Sequence, residues 1–392
     1  LPMLLESTFW QHRLPHFGTG RFCYDFLPQA GHAHPGPSVD LFRGGGVCKT
    51  RPLPQRAAAL TLTAALLTGA AFPAFAGNYY IEDGSITISA GNEAGTNKVE
   101  QTGRDTVDND KGTVISSREN TASRNTVTIN AEKDVEVTLK DLNIDGRSQN
   151  KAAVSVTGSG NTTIELDGSN TLKSGSGHAG LEHNKTDTSG ELTIQDNDKN
   201  GSLKAAGGQY GAGIGGAGAA NDAQVKITGG KITATGGEYG AGIGGGFKGS
   251  GDVTISGGEI HANGGNYGAG IGGGDYSSGK VTISGGEINA TGGYLGAGIG
   301  GGEKGSGDVT ITGGEITSAT GGKYGAGIGG GKEGSGDVTI EGNTEVNAAG
   351  GTGGAGIGGG YGAKNNSNST GNQITIRSNE NGSPTVNAVG GG

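Results

Sequence analysis

Val253-Thr254-Ile255-Ser256-Gly257-Gly258-Glu259-Ile260-His261-Ala262-Asn263-Gly264-Gly265-Asn266-Tyr267-Gly268-Ala269-Gly270-Ile271-Gly272 is one unit of a repeat. Equivalent positions are Val225, Val253, Val281, Val309 and Val338, separated by 28, 28, 28 and 29 residues. A period of this length decides the architecture, because each unit is one piece of a solenoid that cannot bury its apolar face alone. Within the unit, three short pieces alternate with period two, as strands do. Alternate side chains turned inward are Val253, Ile255, Ile260, Ala262, Ala269 and Ile271, and in the next unit Val281, Ile283, Ile288, Ala290, Ala297 and Ile299. Identical side chains then stack coil upon coil, so the predicted fold class is all-β, a parallel β-helix with about three short strands per 28–29-residue coil.

Working outward, the pairs Gly257-Gly258 and Gly264-Gly265 fall where the chain turns a corner, a task suited to positive φ and to the lack of a Cβ. Where the period lengthens to 29, Glu315-Ile316-Thr317-Ser318-Ala319 carries one residue more than Glu287-Ile288-Asn289-Ala290, which reads as a β-bulge that preserves the inward ladder. The 88 glycines among 392 residues, with only 31% hydrophobic residues, exclude a thick globular core. Only nine prolines and no three-residue period exclude collagen, and regularly spaced Val and Ile exclude a flexible linker. Upstream, 131–224 is a degenerate version of the coil, with strands at Val135-Glu136-Val137-Thr138-Leu139, Val154-Ser155-Val156, Thr163-Ile164-Glu165-Leu166 and Leu192-Thr193-Ile194. Residues 77–130 read as an N-terminal cap and first coils, and 225–392 as the regular Gly-rich repeats.

The first 50 residues hold both cysteines, the one Trp, the one Met and five of the eight Phe, unlike the rest of the chain. Cys23, Cys48 and the nearby histidines match no zinc spacing. Lys49, Arg51 and Arg56 then precede an apolar run over 57–72, followed by Pro73 and Ala74-Phe75-Ala76. This is the layout of a secretory signal peptide and is too short for a spanning helix. The expectation is therefore a non-native or disordered extension at 1–46, a signal peptide at 47–76 cut before Gly77, and a secreted or cell-surface protein with no membrane span in its mature chain. Without the first 76 residues, 22 basic residues face 34 acidic ones, a net charge of −12. Such a balance excludes nucleic acid, whose phosphates need Lys and Arg. The last coil stops after Thr385-Val386-Asn387-Ala388 without its third strand, so the expectation is a chain truncated at its C-terminus.

Gly211-Ala212-Gly213-Ile214-Gly215-Gly216 satisfies the dinucleotide fingerprint, yet it recurs once per coil and leads into strand rather than helix. Acidic residues recur in register: Asp252, Asp308 and Asp337 before the first strand, and Glu259, Glu287 and Glu315 at the second. Stacked carboxylates about 5 Å apart repel, and calcium would relieve that repulsion; the alternative is a solvated acidic face interrupted by Lys231 and Lys280. Calcium is the one candidate cofactor. Tyr210, Tyr239, Tyr267, Tyr294 and Tyr324 stand at one corner, where rings can stack on sugars or on one another. His178, Glu182, His183 and Arg147 form the unique polar cluster outside the repeat, without long loops to enclose a substrate, and no catalytic residue is assigned.

Val137-Thr138-Leu139-Lys140-Asp141-Leu142-Asn143-Ile144, Gly177-His178-Ala179-Gly180-Leu181 and the recurrent Gly-Ala-Gly-Ile-Gly-Gly resemble bacterial secreted and surface proteins with a right-handed, pectate-lyase-like β-helix, the carbohydrate-binding-domain-containing family. The resemblance covers about residues 79–392. It implies right-handed winding and a non-catalytic adhesive or binding role toward an extracellular polysaccharide or a host or cell-wall glycan. Two alternatives stand beside it: a polysaccharide lyase or glycoside hydrolase on the same scaffold, and a purely structural stalk.

Overall fold

The structure, a computed structural model, describes residues 77–219, 221–364 and 372–392. The extension at 1–46 and the signal segment at 47–76 lie outside the described residues. Among the described residues there are strands and two single-turn 3-10 helices, Ile81–Asp83 and Arg147–Gln149, and no helix is long and apolar enough to cross a membrane.

Three parallel ladders wind up the molecule. The first pairs Val225, Val253, Val281, Val309, Val338 and Ile374 in succession. The second pairs Ile232, Ile260, Ile288, Ile316, Val346 and Val386, and the third Ile243, Ile271, Ile299, Ile328 and Ile357. The residues that alternate inward in the sequence thus meet their own equivalents one coil away. Val253, Ile255, Ile260, Ala262 and Ile271 are at most 1% exposed and belong to one continuous core. The extra residue of the 29-residue unit is Thr317, since Ile288 faces Ile316 whereas Asn289 faces Ser318.

Upstream the same ladders continue with coil lengths of 27, 30 and 33 residues, read from Val135–Thr162, Thr162–Leu192 and Leu192–Val225 pairs. At the start, Ile86–Ala90 joins the third ladder in parallel with Val127–Asn130 and pairs antiparallel with Asn97–Gln101, which in turn pairs with Val107–Asp110. These antiparallel strands cover an edge that would otherwise offer unpaired backbone groups.

The third piece differs from the sequence reading. Only Ile271–Gly272 is strand, and Ala269, although fully buried, stands apart from the aliphatic core. The cause is a turn closed by the Ala269 N–H, which donates to the Gly273 carbonyl at 3.0 Å and pulls Gly268-Ala269-Gly270 off the strand line. Ala297 does the same with Gly301.

The two glycine corners also turn out to need glycine for different reasons. At the first, Gly230, Gly258, Gly286 and Gly314 have φ between +80° and +95°, the left-handed region. At the second the requirement is approach: a Cβ on Gly265 would lie 1.6 Å from the Gly237 carbonyl oxygen of the preceding coil.

Candidate functional site

The turn that follows each third strand lies against the corner residue of the coil before it, a tyrosine in four coils and Leu295, which accepts from the Lys332 N–H at 2.8 Å, in the remaining one. Phe247 donates its N–H to the Tyr210 carbonyl at 2.8 Å, Asp275 to that of Tyr239 at 2.9 Å, Glu303 to that of Tyr267 at 2.8 Å, and Tyr361 to that of Tyr324 at 2.8 Å. Two columns of side chains are therefore interleaved on one flank: the corner residues, and the column Phe247, Asp275, Glu303, Lys332 and Tyr361.

The five tyrosines named from the sequence fall into two groups. Tyr210, Tyr239 and Tyr267 stack at centroid distances of 5.2 and 4.9 Å with interplanar angles of 9° and 12°. Phe247 packs against Tyr210 and edge-on against Tyr239. The stack ends there because Leu295, not a ring, fills the next place and is 9% exposed. Tyr294, one position earlier, is 50% exposed and meets Tyr324 edge to face at 5.5 Å. Tyr361 tilts against Tyr324 at 5.3 Å. Phe247 and Tyr361 escaped the sequence reading, although both stand four residues after a third-strand Ile and that constant offset would have found them. Both faces of Tyr239 are covered by its neighbours, so the inner part of the stack offers ring edges and hydroxyls. Broader ring surface is exposed at Tyr210, Tyr276, Tyr294 and Tyr361. Lysines border these rings: Lys304 lies 4.7 Å from the Tyr276 centroid, and Lys323 lies 5.5 and 5.2 Å from those of Tyr294 and Tyr324. The Lys323 ammonium holds the Tyr294 hydroxyl below the usual phenol range.

Asp275 carries an electrostatic penalty within this flank. It is 2% exposed, and its Oδ1 has no hydrogen-bond partner. Burial, and then the neighbouring Glu303 carboxylate, push its pKa up to about 6. Glu303 itself is relieved by Lys332, whose Nζ lies 3.3 Å away. An acid whose folded pKa lies above its unfolded value costs stability as pH rises from about 4 through 6, because the unfolded chain releases the proton first. Asp275→Asn is therefore expected to raise stability by about 1–2 kcal/mol at pH 8, a value tempered by the nearby lysines Lys248 and Lys304, and by almost nothing at pH 4. Thermal melts of both chains across that pH range measure it.

The six acids named from the repeat form no compact ligand set. Asp252 faces Lys280 in the ladder, and Lys280 faces Asp308. Lys185 reaches Asp252 at 3.1 Å. Asp252 and Asp308 thus share a small pocket of about 230 Å³ with Asp222, Lys185 and Lys280, so two ammonium groups already offset most of the acidic charge there. Asp308 does stack directly on Asp337, but Asp337 accepts from the Gln373 N–H at 2.9 Å. Glu259, Glu287 and Glu315 are consecutive in the second ladder, with Lys231 and His261 bound to Glu259 at 2.6 and 3.0 Å.

Among the described residues, the three carboxylates that do converge are Glu165, Asp196 and Asp198, each with one oxygen within 4.8 Å of the others. They lie where two coils meet. Asp196-Asn197-Asp198-Lys199-Asn200-Gly201 places oxygen-bearing side chains at its first, third and fifth positions and Gly at the sixth, the spacing of a calcium loop. No Glu stands at the twelfth position, where Gly207 is found, and Glu165 of the preceding coil supplies the further carboxylate. Glu165 accepts from the Asn197 backbone and side chain, both at 2.7 Å, which ties the loop to that coil. The loop's spacing was the signal that the repeat-based reading passed over.

The polar cluster upstream does not converge. Arg147 clamps Asp145 at 2.6 Å, while His178 pairs with Glu182 at 2.8 Å. His183 is 2% exposed, with its two ring nitrogens toward the carbonyls of Val156 and Gly190, and burial lowers its pKa.

The Beta helix repeat family matches five stretches of the chain, residues 225–247, 253–275, 281–303, 309–332 and 338–361. Each begins at the first-strand Val and ends in the turn that carries the Phe247 column. No curated protein and no solved structure matches the chain.

Proposed function

We propose that this parallel β-helix repeat protein acts outside the cell as a non-catalytic scaffold that adheres to an extended polysaccharide through its aromatic flank. The supporting observation is the coil-by-coil recurrence of tyrosine edges, hydroxyls and bordering lysines over residues 210–361, a repeating surface suited to a repeating polymer. The signal-peptide layout at 47–76 and the net charge of −12 after it are consistent with a place outside the cell. Retention of the chain on a panel of immobilised neutral and uronic-acid polysaccharides tests the reading. Replacing the exposed Tyr210, Tyr294 and Tyr361 by Ala should weaken retention at least tenfold, at roughly 1 kcal/mol per ring, with melting temperature followed in parallel. Release of reducing ends or unsaturated products would favour an enzyme, and no retention on any glycan would favour a stalk.

Calcium forms a second part of this proposal, at Glu165, Asp196 and Asp198 rather than at the repeat acids. A ligand bound only by the folded chain at a hundred times its Kd adds about 2.7 kcal/mol. Calcium is accordingly expected to raise the melting temperature of the unmodified chain and of Asp308→Asn. It should leave Glu165→Gln and Asp198→Asn unmoved. An equal shift in all four would place the ion elsewhere.

A further inference from the structure

The N-terminal antiparallel strands also stand beside the first ladder, and between them lies a groove of about 590 Å³. Its floor is the outward face of Val135–Lys140, Thr162–Asp167 and Leu192–Gln195, where Glu136, Thr163 and Thr193 follow one another in a single ladder and Thr138 stands beside them. Neighbours in such a ladder are spaced by about 4.8 Å.

The wall is tied to the floor by buried polar groups. Asn97, 4% exposed, donates through Nδ2 to the Glu136 carbonyl at 2.7 Å and to the Thr113 hydroxyl at 2.9 Å. The Thr113 hydroxyl in turn donates to Asp110 at 2.6 Å. Along the rim, Asp134 accepts from the Asn161 N–H at 2.9 Å and Asn161 from the Glu191 N–H at 3.0 Å. The groove is thus held open by a fixed polar frame rather than by mobile surface side chains.

Its chemistry is one-sided. Asp134, Glu136 and Glu191 line it, and no lining residue is basic. Lys226 approaches only at one end, 3.2 Å from Glu191. No described donor reaches the Glu136 carboxylate, which is exposed. Concave walls concentrate such a field and attract cations. The remaining lining groups are hydroxyls, amides and glycine backbone, with Val135 and Val137 turned into the core and no ring to stack on. Recognition therefore runs through charge and hydrogen bonds, which fits a polyhydroxylated ring bearing an ammonium group and disfavours a polyanion.

We infer that this groove is a second binding site, separate from the aromatic flank, that takes amine-bearing sugars. Glu136 pairs with an ammonium group, and Thr138 and Thr163 hydrogen-bond to ring hydroxyls, while Glu191, held by Lys226 and by the Thr193 hydroxyl at 3.3 Å, closes one end of the site. The inference rests on the groove alone, so it stands or falls independently of the flank.

Calorimetric titration of the full chain with short glucosamine oligomers tests it, with the N-acetylated oligomers, oligogalacturonate and a lysine peptide of matched charge as comparisons. Glucosamine oligomers should bind at least tenfold more tightly than each of the others, since the N-acetylated and anionic oligomers lack the charge-assisted hydrogen bond and the peptide lacks the ring hydroxyls. Glu136→Gln should lose about tenfold in affinity at an unchanged melting temperature, while Glu345→Gln, which removes an exposed carboxylate outside the groove and the flank, should bind as the unmodified chain does. Absence of glucosamine binding overturns the inference. So does equal binding of the N-acetylated oligomer or of the lysine peptide, or an undiminished affinity in Glu136→Gln.

Discussion

Ile271→Asp is expected to cost on the order of 4 kcal/mol or more, whereas Thr254→Asp should change stability by less than about 0.5 kcal/mol. Ile271 is fully buried, with Ile243 stacked on one side and Ile299 on the other. A carboxylate there would meet only aliphatic neighbours, and with no partner to offset its lost hydration it must take up a proton or expel the coil. Thr254 lies on the opposite face of its strand, between Lys226 and Thr282 in the outward ladder, where an added carboxylate stays hydrated beside a lysine. Because a solenoid is held by contacts between successive coils, loss at Ile271 weakens both interfaces of its coil. Denaturant melts of the two chains decide the matter. Equal destabilisation would mean that the inward and outward faces are misassigned.

Gly265→Ala is expected to destabilise by several kcal/mol, although it adds one methyl group at a corner near the surface. That methyl would sit 1.6 Å from the Gly237 carbonyl oxygen. No rotamer relieves the clash, because the backbone alone fixes a Cβ, so two coils would have to separate by more than an ångström. The equivalent glycines make the same approach, at 1.7 Å for Gly237, 1.6 Å for Gly293 and 1.5 Å for Gly322. Gly177 is the control: nothing lies within 4 Å of its added Cβ, and its φ is not positive. Gly177→Ala should fall within about 0.5 kcal/mol of the unmodified chain. Comparable losses in both would overturn the assignment to the close approach, since chain entropy alone makes a Gly→Ala change stabilising.

Much of this architecture could be read before any coordinates. A period of 28 residues brings Val253 to Val281 and Ile260 to Ile288, and alternation chooses which side chains turn inward. The bulge at Thr317 was legible because only one strand of the pair carries the additional residue. The aromatic flank was half legible. Its tyrosines share a corner and the offset from the third-strand Ile marks Phe247 and Tyr361, but the sequence does not decide between rings stacked on one another and rings open to a ligand, nor that the turn carrying Phe247 packs against Tyr210 and Tyr239. The repeat acids were half legible in the same way. Register puts Asp252 and Asp308 in one column with Lys280 between them, but nothing in the repeat shows that Lys185 arrives from a loop 67 residues away.

What the sequence by itself determined is therefore the quasi-one-dimensional part of the molecule: the coil, its inward ladder and the positions of its corners. These depend on contacts between residues a fixed number of positions apart, and periodicity records such contacts directly. Only the tertiary structure decided where groups with no shared period meet. Glu165 reaches the Asp196 loop because a 30-residue coil lies between their strands, and the Glu136 groove exists because antiparallel strands outside the repeat fold back beside it. The reason for Gly265 belongs here too: its need is set by a carbonyl in the preceding coil, at a distance that only the stacked backbone defines.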